Sequence, residues 1–216
     1  QISSAMKIKL VLSLLLVCAN GASNSTTEPV RDVDGNVVEA GIRYLIVPAV
    51  KGHGGGISMA PGRDNTSCSS GVIQHNSNPY IGLPVVFLPA NKKTIVRVST
   101  DLNIMFSIVY TLEERGCISS FVWQVGPYDE DTKRSFITTG GVEGNPGGTT
   151  VRSWFRVTKQ ENHYSIVFCP SVCSFCKIFC QPVGVYVDKD VKRLALSDIN
   201  TPLKVVFQRV GLALTK

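Results

Sequence analysis

The stretch VFCPSVCSFCKIFC, residues 167–180, holds Cys169, Cys173, Cys176 and Cys180. Reduced, thiolates at this C-x3-C-x2-C-x3-C spacing can hold zinc tetrahedrally; oxidised, they become covalent staples. Other stretches have the form of catalytic or binding elements without their partners. His53-Gly54-Gly55-Gly56 matches the oxyanion loop of lipases and esterases, but the G-x-S-x-G nucleophile elbow that this loop serves is missing from the chain. GGVEGNPGG, residues 140–148, is glycine-rich like a phosphate cradle. A P-loop continues with Lys and Ser or Thr into a helix, whereas here Thr149 and Thr150 lead toward the strand-like SWFRV, so a long loop between strands is expected. His53, His75 and His163 are the only histidines, and none stands in an H-E-x-x-H pattern. Asp32, Asp34, Glu113, Glu114 and the run Asp129, Glu130, Asp131 form no recognisable acid and base pair and read as solvated surface. Trp123 and Trp154 have the chemistry of sugar-stacking platforms, but aromatics on alternating strands belong more often to the core. No enzyme activity, cofactor or metal is expected.

The choice between zinc and disulfides depends on compartment. After Met6 the chain runs KIKLVLSLLLVCANGAS: two lysines, an apolar stretch from Leu10 to Ala19 interrupted by Ser13, then small residues. This is the layout of a secretory signal peptide, too short for a membrane-spanning helix. Residues 1–21 are read as leader and signal peptide, cut after Gly21, and residues 22–28 as a short N-terminal extension. Removing residues 1–21 takes Cys18, Lys7 and Lys9 away, leaving six cysteines and 20 basic against 16 acidic residues, or +4 in place of +6. An even cysteine count in an exported chain favours disulfides. The mild charge, without a basic run or interleaved aromatics, argues against nucleic acid as a partner. Asn24-Ser25-Thr26 and Asn65-Thr66-Ser67 have the form of glycosylation acceptors.

The elements that must carry these residues are short. Thirteen β-branched and aromatic runs, among them YLIVPAV, GISMA, TIVRV, FVWQV, SWFRVTK and LKVVFQRV, are separated by Gly, Pro, Asn and Asp. Such runs predict the strands of an all-β barrel or sandwich. The lack of a sustained 3.6-residue period predicts little helix. A β-hairpin turning at Ser174 and Phe175 would place Cys173 opposite Cys176 and Cys169 opposite Cys180, leaving Cys68 and Cys117 for each other.

Several ordered segments together resemble the plant Kunitz family of the soybean trypsin inhibitor type, and within it the miraculin-like branch. They are VRDVDGNVVEAGIRYLI (Val30 to Ile46), GGGISMAP, RVSTDLNIMFS, TTGGVEGNPGG with SWFRV after it, the cysteine quartet, and RLALSD. The resemblance runs from about Pro29 to Val210. It implies a single domain over residues 29–216, a disulfide-stapled β-trefoil of twelve strands with pseudo-threefold symmetry. It also implies the bridges Cys68 to Cys117, Cys169 to Cys180 and Cys173 to Cys176.

Inhibitors of this family act through an exposed loop that enters a serine protease as a substrate would. Counted from Cys68 without a gap, the residue preceding the scissile bond falls on Lys92, within PANKKTI. The implied reactive loop comprises Ala90, Asn91, Lys92, Lys93 and Thr94, and the implied partner is a trypsin-like serine endopeptidase, whose specificity-pocket carboxylate would receive the Lys92 ammonium. Family inhibitors commonly brace this loop with an Asn side chain in the opening segment. Ala40 occupies that position here, so the loop is expected to lose those hydrogen bonds. The expected protein is a monomeric plant defence inhibitor, extracellular or vacuolar, without membrane contact after processing. The alternative is a non-inhibitory miraculin-like storage, stress-response or carbohydrate-recognition protein.

Overall fold

The structure, a computed structural model, describes residues 27–63, 68, 70–77, 80–108, 119–198 and 200–211. Asn24, Asn65, Cys117 and the leader segment lie outside the described residues.

Twelve strands follow one another: β1 Tyr44–Pro48, β2 Ile57–Ala60, β3 Gly71–Gln74, β4 Val85–Pro89, β5 Leu102–Phe106, β6 Gln124–Asp129, β7 Arg134–Thr138, β8 Arg156–Gln160, β9 His163–Phe168, β10 Gln181–Asp188, β11 Val191–Leu196 and β12 Val205–Arg209. Six of them close a barrel. β1 pairs with β4 and β12, β4 with β5, and β9 with β8 and β12. A bridge between Leu102 and Phe155 at the head of β8 joins β5 to β8 and completes the ring. The other six are three hairpins, β2–β3, β6–β7 and β10–β11. One strand from each meets the others around a common centre, through Gly71 with Thr138, Ile73 with Arg193 and Phe136 with Ala195. Three four-strand units related in this way are the β-trefoil that the family resemblance implies.

Period-2 patterning drives barrel closure. Tyr44 and Ile46, Val85 and Phe87, Leu102 and Ile104, Tyr164 and Ile166, Val205 and Phe207 all point inward and are buried. Phe207 packs edge-on against Phe87 with ring centroids 5.2 Å apart, and against Tyr164 at 5.4 Å. Burying each such side chain is worth about 1.5–3 kcal/mol. Trp123 and Trp154 are fully buried core residues, and the Trp154 indole N–H donates to the Thr150 hydroxyl.

Four expectations change. TIVRV forms no strand; Ile95 and Arg97 make single bridges to Glu39 and Pro29, because the opening segment rather than a second full strand lies alongside it. Residues 148–153 form a short 3-10 helix instead of continuing the glycine-rich loop. The cysteine segment is no hairpin either. The β9–β10 ladder ends at Phe168 with Gln181, and residues 169–180 are irregular. Pro170, next to Cys169, has no N–H to give to a ladder, and the Ser171 N–H goes instead to the Asp101 carboxylate. The fourth change concerns Asp32, which is buried, its carboxylate accepting the N–H groups of Asp34 and Asn36 to form a turn.

Hydrogen bonding of the body reaches back into residues 22–28: the Val98 N–H donates to the Glu28 carbonyl, and Arg97 to that of Thr27. The three glycines after His53 are packing residues. Gly54 to Gly56 are buried, and a Cβ on Gly56 would collide with the Ile81 carbonyl. Among the described residues no helix is long and apolar enough to cross a membrane, and no group of three His, Cys, Asp or Glu is placed to hold a metal.

Candidate functional site

The chain leaves the barrel at Pro89, the buried end of β4, and re-enters it at Leu102. Between them Asn91, Lys92, Lys93 and Thr94 are exposed and Ala90 is half-buried. The excursion starts with a tight turn, in which the Lys92 N–H donates to the Pro89 carbonyl at 2.9 Å. The Asn91 carboxamide oxygen accepts the Lys93 N–H at 3.0 Å, the side-chain-to-backbone turn for which Asn is suited. Lys92 closes the turn with φ at 55°. A left-handed backbone costs an L-residue about 1–2 kcal/mol, and a peptide lying extended in a protease cleft does not use it.

The flanks are tied down. Ala90 N–H donates to the Asp101 carbonyl at 2.8 Å, and Ala40 N–H to the Thr94 carbonyl at 2.7 Å. The backbone of Ala40 thus braces the loop, a support separate from the side-chain hydrogen bonds whose loss is expected at this position. What the missing side chain leaves is space: a hollow of about 410 Å³ opens under the loop, bounded by Ala40, Lys92, Asn103, Glu143, Asn145 and Trp154. Asn103, wholly buried, donates to the Ser153 carbonyl at 2.7 Å and accepts the Gly144 N–H at 2.8 Å. It thereby fixes the neighbouring 143–148 loop against the floor of the hollow.

Asp101 is the hinge between this loop and the cysteines. Its carboxylate is paired with Arg156 at 2.7 Å and accepts both the N–H and the hydroxyl of Ser171, the latter at 2.6 Å. Cys169 is bonded to Cys180 with Cα atoms 4.4 Å apart, directly beyond the last ladder pair of β9 and β10, and Cys173 to Cys176 at 5.4 Å. Cys68 is also disulfide-bonded; Cys117, the partner that the resemblance implies, lies outside the described residues. Sequence reading missed Asp101, Asn103, Arg156 and Ser171. Asp101 and Asn103 stand in RVSTDLNIMFS and Arg156 in SWFRV, yet nothing in either segment signals that they meet.

Lys92 and Lys93 have no ion-pair partner among the described residues. Two solvated cations on a braced turn can meet an anionic pocket without first breaking an ion pair.

Over residues 30–209 the sequence matches the legume Kunitz family, whose description is trypsin and protease inhibitor. The chain belongs to this family. It is 42% identical to Kunitz trypsin inhibitor 5 of Arabidopsis thaliana over 207 residues, 96% of this chain and 98% of that one. It is likewise 42% identical to miraculin of Synsepalum dulcificum over 197 residues, 87% and 88% of the two chains. Among solved structures it resembles the complex of porcine pancreatic trypsin with soybean trypsin inhibitor, with a TM-score of 0.68 and 26% identity over 85% of this chain and 100% of that one. The legume Kunitz family is one of protease inhibitors, not enzymes, so the oxyanion-loop and phosphate-cradle motifs are structural turns here.

Proposed function

We propose that this Kunitz protein inhibits a trypsin-like serine endopeptidase through the 89–95 loop, with Lys92 entering the specificity pocket and Asn91 and Lys93 flanking the bond. The observation carrying the reading is Lys92 itself: an exposed cation, without an ion-pair partner among the described residues, on a turn whose two flanks are hydrogen-bonded to the barrel. The Lys92 ammonium would meet a pocket carboxylate in a charge-assisted contact. Because its flanks are already ordered, the loop loses little freedom on docking. The left-handed φ of Lys92 must change for the residue to lie extended; this opens the turn closed by the Lys92 N–H on the Pro89 carbonyl, at a cost of about 1 kcal/mol, and makes inhibition weaker by roughly fivefold than from a pre-extended loop. The protein acts as one domain over residues 29–216, exported along the secretory route to an extracellular or vacuolar site.

A second reading is favoured by that same backbone angle. If Lys92 does not relax into an inhibitory pose, the protein is a non-inhibitory storage, stress-response or recognition member of the miraculin-like branch, and trypsin cleaves after Lys92 as in any exposed turn. Titration of the mature protein against trypsin, with Lys92→Ala alongside, tests the proposal. Inhibition that Lys92→Ala abolishes supports it; rapid cleavage of the wild-type chain, or equal potency of the two proteins, overturns it.

A further inference from the structure

The cysteine loop carries two phenylalanines that the fold leaves in water. Phe175 is 83% exposed and Phe179 85%. They differ in backbone setting. Phe175 lies inside the four-residue ring closed by Cys173 and Cys176, whose 5.4 Å Cα separation makes it a turn. Its ring leans on Gly148, where any Cβ would crowd it. Phe179 lies on the segment that returns to β10. There Lys177 faces out, Ile178 packs on the hydrophobic core and Phe179 faces out again, the alternation of a strand.

Three further features set this segment apart. No residue from Cys169 to Cys180 has a positive φ, in contrast to Lys92. Among the described residues, no backbone hydrogen bond uses the N–H or C=O groups of Lys177, Ile178 or Phe179, so these groups are free to pair with an added strand. The segment is also clamped at both ends. Cys176 is bonded to the buried Cys173, and Cys180 to Cys169 at the end of the β9–β10 ladder. The peptide bond after Phe179 lies within the ring closed by Cys169 and Cys180, so the chain on either side of it stays tethered. Ser171, bonded to Asp101, fixes the entry to the loop.

We infer that Lys177 to Cys180 is a second protease-binding segment, separate from the Lys92 loop, that pairs as a strand with a serine endopeptidase whose apolar specificity pocket takes the Phe179 ring. Ile178 anchors the segment to the core, and Lys177 lies two residues before Phe179 on the same outward face.

The test is a titration of α-chymotrypsin and of trypsin by the wild-type protein, Phe179→Ala, Phe175→Ala and Lys92→Ala, with unfolding midpoints measured for all four. The expected result is that wild type, Phe175→Ala and Lys92→Ala inhibit chymotrypsin alike. Phe179→Ala should lose at least 100-fold against chymotrypsin, with an unchanged unfolding midpoint and unchanged behaviour toward trypsin. Absence of chymotrypsin inhibition overturns the inference, as does equal potency of Phe179→Ala, loss on Lys92→Ala, or rapid cleavage after Phe179. Because the trypsin arm reads only the Lys92 loop, failure there leaves the chymotrypsin arm intact, and the reverse also holds.

Discussion

Ser171 gives both its backbone N–H and its hydroxyl to the carboxylate of Asp101, at 3.1 and 2.6 Å. The same carboxylate pairs with Arg156 at 2.7 Å, while the Asp101 carbonyl accepts the Ala90 N–H. One residue thus joins the start of the Lys92 loop, the head of β8 and the cysteine loop.

Replacing Asp101 by Ala should therefore act in two places. It strands the largely buried Arg156 guanidinium and two donors of Ser171, and loss of one partner of a buried pair costs about 3–5 kcal/mol. Chemical denaturation with disulfides intact should show that loss. Limited proteolysis at protease levels too low to cut the wild type should show new cleavage in residues 90–101 and 169–180. A midpoint within error of wild type would remove Asp101 from its bracing role.

Stability and inhibition should separate at Lys92. Glycine adopts φ near 55° without the penalty that Lys92 bears, so Lys92→Gly is expected to raise stability by up to about 1 kcal/mol while abolishing trypsin inhibition. A thermal melt and an inhibition titration on one sample decide the matter.

Ala40→Asn should strengthen the Lys92 loop. The hollow beneath it has room for the longer side chain, and each hydrogen bond gained toward the loop contributes about 1 kcal/mol. Inhibition of trypsin should tighten by roughly fivefold for each such bond, read from the inhibition constant with Ala40→Val as a control that fills space without donating.

The two cysteine-loop bridges are unequal. The chain-entropy model gives the Cys169–Cys180 bridge about 3 kcal/mol, and the Cys173–Cys176 bridge less, because its short ring is already constrained by the outer one. Paired Cys→Ala variants should follow that order in guanidinium unfolding.

Acid should unfold the protein partly through Asp129. Its carboxyl is held below the ordinary value first by the Thr132 hydroxyl and N–H, with Arg63 adding a smaller pull. A depressed carboxyl contributes stability that is present above its unfolded value of about 3.9 and is lost as pH falls through the lower folded value. Thr132→Ala should shrink this acid-side loss, seen as a flatter melting temperature between pH 4 and pH 2.

The strands were legible because their signal is local. Alternation in YLIVP and VVFLP reports which face is buried without knowledge of what covers it, and twelve of the thirteen runs became strands. TIVRV failed the same reading. Its alternation is real, with Val96 buried, but the neighbour it bonds to is the irregular opening segment, whose path no local pattern encodes.

The sequence by itself determined an all-β chain, its strand positions, an oxidised cysteine framework and the family register that places Lys92 in an exposed loop. Only the tertiary structure decided that Lys92 sits in a left-handed turn, that Ala40 braces Thr94 through its backbone, and that Asp101 reaches Arg156 and Ser171 across 55 and 70 residues. The physical reason is that burial alternates with the chain's own two-residue period and so is written locally. Which loop ends come within hydrogen-bonding distance is set only when six strands close into a barrel and bring distant segments to the same level.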